Sequence, residues 1–119
     1  MKLGVYTALV ADRSLEEALR YLSTKGIQTV ELGSGGYAGT AHANPDELLS
    51  NGKKLAAMQD LLKKYEVEIS ALNCSGNPVH PQKEIAQKAH ADYEKTILLA
   101  EKLGVDKIIT FSGCPGDSP

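Results

Sequence analysis

Apolar positions along the chain keep two rhythms, and the alternation between them predicts the fold. Lys2 to Thr7 sets Leu3 and Val5 against Gly4 and Tyr6 at a period of two, which reads as a short strand. Leu15, Ala18, Leu19 and Leu22 then recur at i, i+3, i+4 and i+7, one apolar stripe of a helix. Ser14 opens that helix with Glu17 as its capping-box partner, and Gly26 stops it. Gln28 to Gly33 returns to period two, with Val30 and Leu32 against Thr29 and Glu31. Asn44-Pro45-Asp46-Glu47 begins the next helical stretch with a cap, a proline at the first helical position and two acids in the first turn. Asn51-Gly52 interrupts it, and Leu55, Met58, Leu62 and Tyr65 resume a buried face in which Met58 needs no role beyond filling the core. Val67 to Leu72 reads as a third strand. Gln82 to Leu103 reads as a long helix with Ala86, Ala89, Tyr93, Ile97 and Ala100 inward, ended by Gly104. Ile108 to Phe111 is the fourth strand, with Thr110 and Ser112 expected on one face and Ile109 and Phe111 on the other.

Strands alternating with helices across short returns predict a parallel sheet with right-handed crossovers. An open doubly wound sheet and part of a β/α barrel both satisfy that order. An open sheet is apolar on both faces because helices cover both. Here Gly4 with Tyr6, Thr29 with Glu31, and Thr110 with Ser112 make one face small or polar, which suits helices on one side only. The expected fold is therefore α/β, the N-terminal half of a (β/α)8 barrel over residues 1–119, with about four parallel strands near 2–7, 28–33, 67–73 and 106–112 and three crossover helices. A closed barrel needs eight strands and typically about 250 residues, so the natural product is expected to be longer.

Candidate chemistry gathers where strands end. The third strand opens into Ser75-Gly76-Asn77-Pro78-Val79-His80-Pro81, whose two prolines fix φ and are expected to present Asn77 and His80. The fourth opens into Ser112-Gly113-Cys114-Pro115-Gly116-Asp117, and the chain runs on through Ser118 and Pro119 as a loop. Glu31 sits inside a strand, where an unpaired buried carboxylate costs several kcal/mol, so it needs water, a cation or hydrogen-bond donors. Gly33-Ser34-Gly35-Gly36-Tyr37-Ala38 imitates a dinucleotide fingerprint. It opens no helix, so Gly33 to Ala43 reads as a flexible loop, with His42 exposed in it. His90 borders the stripe of the long helix as a packed or partly exposed residue. Cys74 and Cys114 have no CxxC spacing and read as reduced loop thiols, a Cys74, His80 and Cys114 metal site being the rival.

Composition narrows the classes. With 119 residues, 42% hydrophobic and 24% charged, the chain is one globular domain's worth, not a disordered segment. A formal charge of −2 with both signs interspersed argues against nucleic acid as a partner. The start, Met1 to Thr7, lacks the apolar region of a signal peptide, and no window approaches the roughly 20 apolar residues of a membrane span, so a cytoplasmic location without membrane contact is expected.

Val30-Glu31-Leu32-Gly33, the Gly76-Asn77-Pro78-Val79-His80-Pro81 loop, and Ala100-Glu101-Lys102-Leu103-Gly104-Val105 leading to Phe111-Ser112-Gly113-Cys114-Pro115-Gly116 resemble the sugar phosphate isomerase/epimerase family, which has the xylose isomerase-like β/α barrel. The resemblance implies a sugar or polyol substrate, a divalent metal such as Mn²⁺ or Mg²⁺ in the full-length protein, and proton transfer through an enediolate. It implies no catalytic residue and no metal ligand within this chain, because family members draw those from later strands. It implies substrate-binding positions at Tyr6, Asn77, His80, Ser112 and Gly113, with Glu31 bracing their network. A keto-inositol dehydratase of the same barrel is an alternative, as is a non-catalytic half-barrel that pairs with a second copy as a homo-oligomer. An abasic-site endonuclease of the same superfamily fares worse, since Asn73 and Ser112 stand where histidines would be expected.

Overall fold

The computed structural model describes residues 1–116. The loop expected at Asp117 to Pro119 lies outside them. Strands β1 (Gly4–Tyr6), β2 (Thr29–Gly36), β3 (Glu68–Ser75) and β4 (Ile108–Ile109) alternate with helices α1 (Leu15–Thr24), α2 (Pro45–Ser50), α3 (Gly52–Lys64) and α4 (Lys83–Leu103). All strand pairs are parallel, and the sheet runs β1-β2-β3-β4 in chain order. Sequential order matters physically. When every right-handed crossover steps the same way, every helix lands on the same face of the sheet, as in a barrel wall.

One core results. Leu19 and Leu22 of α1, Met58 of α3 and Leu99 with Ala100 of α4 pack on Val30, Leu32 and Leu72 of the sheet, and Leu48 and Leu49 of α2 join its edge. Leu19, Val30, Leu32, Leu72 and Leu99 are wholly buried, each contributing on the order of 2 kcal/mol from apolar area removed from water. The four-stranded parallel α/β sheet, consistent with half of a barrel, is as the patterning predicts.

Local signals also act as read. Ser14 and Glu17 form a complete capping box on α1, and Asn44 caps α2 with Pro45 following. Asn51 both ends α2 and caps α3, its Oδ1 accepting from Lys53 and Lys54 amides, so the Asn-Gly break makes two helices of one crossover.

Four expectations are corrected. The stretch 33–43 is not loop throughout: β2 continues through Gly36, where its glycines allow close backbone approach, and only 37–43 is turn and bend. A Cβ on Gly33 would lie 2.5 Å from the Ala38 carbonyl, and one on Gly36, at φ +62°, would lie 1.9 Å from that of Ser75. The fourth strand stops at Ile109, short of Phe111. Its faces are also reversed, since Ile108 registers with buried Leu72 and Ile109 with Asn73, putting Ile109 on the uncovered face and Thr110 at the Cys74 carbonyl (2.9 Å). Finally, α4 turns Thr96, Leu99 and Ala100 inward and leaves Ile97 46% exposed. Thr96 is drawn in by its hydroxyl, which meets the hydroxyl of Ser34 at 3.1 Å and the Asp92 carbonyl at 3.0 Å.

Candidate functional site

Strand alternation assigns the site. Val30 and Leu32 face the helices, so Glu31 between them points to the uncovered face, and so does its register partner Tyr6. Asn73, next to buried Leu72, shares that face. Its Nδ2 donates to Glu31 Oε1 at 2.6 Å, and its Oδ1 accepts from the Ser75 hydroxyl at 2.6 Å. The carboxylate thus has the donor that a strand acid requires. Burial first, and the nearby Glu31 carboxylate second, hold the Tyr6 phenol above its ordinary value. At neutral pH it remains an O–H donor. Thr29 covers Gly4 so closely that a Cβ there would sit 2.2 Å from its hydroxyl. Tyr6, Glu31, Asn73 and Ser75 place a phenol, a carboxylate, an amide and a hydroxyl on the uncovered face, Tyr6 at the carboxyl end of β1, Asn73 and Ser75 at that of β3, and Glu31 third in β2 in register with Tyr6.

A second cluster lies in the loops beyond β3 and β4. Asn77, Ser112 and Gly113 line a groove of about 560 Å³ together with Tyr37 and Phe111. The two rings stand 6.3 Å apart between centroids. Asn77 is buried, not presented: its Nδ2 donates to the Cys114 carbonyl at 2.8 Å, and its Oδ1 accepts from the Cys114 and Val79 amides at 3.0 and 3.2 Å. It ties the β3 loop to the β4 loop. Gly113 lies directly beneath it, where a Cβ would come 2.6 Å from Asn77 Oδ1. His80 is also buried, its Nδ1 accepting from the Gln82 amide at 3.0 Å just ahead of α4, and it lines neither cluster.

His42 departs furthest from the sequence reading. It is only 7% exposed, with Nε2 2.8 Å from the Arg13 carbonyl and Nδ1 2.9 Å from the Thr7 hydroxyl. Residue type alone does not reveal this. The one sequence signal is its place two residues before the Asn44 cap, where a fixed helix start anchors the preceding chain. Ser75 and Thr7 likewise carry no sequence signal of a site role, although period-two alternation from Leu72 marks Asn73 as facing away from the core. His90 is exposed and lies 3.2 Å from Glu94 on α4. Cys74 is buried toward α4 and burial pushes its thiol up, despite a hydrogen bond with Thr96, while Cys114 is exposed. Among the described residues no group of three or more His, Cys, Asp or Glu side chains is arranged to hold a metal ion, the Cys74, His80 and Cys114 trio included.

A sheet wound in chain order, helices on one face and polar groups at the strand ends on the other describe one wall of a barrel. The family described as xylose isomerase-like TIM barrel matches residues 13–119. The chain belongs to this family. It is also 38% identical over 120 aligned positions to the uncharacterized protein YfiH of Bacillus subtilis (strain 168). That alignment takes in all of this chain and 38% of YfiH, so the chain spans less than two fifths of the length of the curated relative it matches. In such barrels the carboxyl ends of the strands are where ligands are met, which is where Tyr6, Asn73 and Ser75 stand. Among the described residues no helix is long and apolar enough to cross a membrane.

Proposed function

We propose that this chain supplies the first wall of a (β/α)8 barrel that isomerises or epimerises a sugar or related polyol in the cytoplasm. One observation carries the reading: the uncovered face of the sheet brings Tyr6, Glu31, Asn73 and Ser75 together, with Asn73 hydrogen-bonded to both Glu31 and Ser75 and Tyr6 in register beside Glu31. A polyol offers vicinal hydroxyls that both donate and accept. These side chains match that with a phenolic donor, an anionic acceptor and a hydroxyl able to do either. Asn77 and His80 serve this site indirectly, by ordering the loop that borders it, while Ser112 and Gly113 form part of the adjoining groove.

A divalent metal of the kind the family resemblance implies does not fit the described residues, which form no cluster of three metal-ligating groups. The part assigned to this wall is binding and orientation of substrate hydroxyls, with Glu31 oriented by Asn73 as an acceptor. The proton transfer on carbon through an enediolate falls to groups elsewhere in a closed barrel. The uncovered face and the free edges of β1 and β4 also support association with a second copy, so a homo-oligomer is part of the proposal.

Saturation-transfer NMR against aldoses, ketoses and inositols tests the binding role. At least one polyol should transfer signal at millimolar concentration, and Glu31→Gln or Asn73→Ala should weaken it several-fold. A folded chain that transfers signal to none of them would count decisively against the sugar reading. In a polypeptide of YfiH's length, the reaction itself is read as exchange of a carbon-bound substrate proton for solvent deuterium.

A further inference from the structure

We infer that His42 is a positioning residue whose imidazole donates from Nε2 to the Arg13 carbonyl and clamps the end of β1 through Thr7, so fixing Tyr6 against Glu31. The relevance to substrate rests on the sugar reading above; the clamp itself does not. Donor and acceptor chemistry determines the tautomer. The Arg13 carbonyl can only accept, so the Nε2 facing it at 2.8 Å carries the proton. In the neutral ring Nδ1 is then an acceptor, and the Thr7 hydroxyl 2.9 Å away must donate to it. That hydroxyl has one hydrogen. Its longer 3.4 Å approach to the Glu31 carbonyl is therefore a packing contact while His42 is neutral.

The consequence is local and specific. Thr7 directly follows Tyr6, is almost fully buried and opens the short 3-10 turn that leads to α1. Tyr6 is thus held on one side by its register with Glu31 and on the other by a hydrogen bond from the next residue to a ring anchored in the β2–α2 connection. His42 touches none of the site residues itself, so any effect it has on them passes through Thr7.

Two measurements on the full chain test this. In long-range nitrogen-proton spectra of histidine-labelled protein near neutral pH, His42 should show a protonated Nε2 and an acceptor-type Nδ1; a ring protonated on Nδ1 alone would overturn the clamp. The second measurement follows the ring carbons of Tyr6 through its alkaline titration. Thr7→Val is nearly isosteric but cannot donate, and should move the Tyr6 titration down toward the ordinary tyrosine range. Thr7→Ser restores the donor and should restore the unmodified behaviour. A folded Thr7→Val chain that titrates like the unmodified one, or a Thr7→Ser chain that titrates like Thr7→Val, would dismiss the role. If Thr7→Val fails to fold, the tautomer spectrum and the serine variant still decide. Neither measurement involves a sugar, so failure of polyol binding with these results intact would sink the sugar reading and leave the clamp standing.

Discussion

Asn77 and His42 carry one lesson at the scale of single residues: a polar side chain beside a candidate site is often there to hold backbone. Each polar atom of the Asn77 amide meets a main-chain group in the β3 or β4 loop. Asn77→Ala should therefore destabilise the chain by about 3 kcal/mol, roughly 1 kcal/mol for each lost hydrogen bond. Urea denaturation checks this as a lower midpoint with an unchanged slope. From the sequence, Pro78 and Pro81 rightly announce a rigid loop, but rigidity alone does not say whether the loop displays its polar residues or consumes them. That depends on the partner backbone at Cys114, thirty-seven positions away. The Glu31 reading stands on firmer ground, because an acid inside a strand must find a donor, and Asn73 supplies it.

Elements show where local chemistry is sufficient and where it is not. The capping box of α1 is complete in four residues and needed nothing distant. The Ser14 amide, and then its hydroxyl, hold the Glu17 carboxyl below the ordinary glutamate value. Since the folded value is the lower one, the stabilisation is fully present above the ordinary glutamate range and is lost as pH falls through the folded value. Glu17→Gln keeps a capping partner but cannot titrate, so its melting temperature should fall less steeply in acid than that of the unmodified chain. The glycines of β2 are the opposite case. Gly33 to Gly36 reads as flexible because glycine is permissive, yet Gly33 and Gly36 are required because other backbone lies where their side chains would go. Gly36→Ala combines a left-handed φ with a clash on the immovable Ser75 carbonyl, and should cost about 3 kcal/mol. A thermal melt lowered by well over 5 °C would register it.

For the molecule as a whole, the second face of the sheet, which no helix covers among the described residues, governs behaviour. Ile109 and Phe111 are exposed, at 44% and 56%, and the outer edges of β1 and β4 have no neighbouring strand among the described residues. Such edges and faces favour association. Sedimentation velocity should show mass rising with concentration over the micromolar range, and Ile109→Lys should reduce it by placing a charge on the face. A strictly monomeric chain at all concentrations would contradict the expectation.

Sequence by itself determined the alternation of strands and helices, their caps, the parallel sheet and the division of β1 and β2 into an apolar and a polar face, because each of these follows from period, capping chemistry and chain connectivity over neighbouring residues. Tertiary structure alone decided that Gly33 to Gly36 is strand, that Thr96 and not Ile97 lies inward on α4, that β4 turns Ile109 to the uncovered face, and that His42 is buried on Thr7 and Arg13. All four depend on register and on contacts between atoms far apart in the chain, and a pattern read along one strand or one helix contains no record of what will be packed across from it.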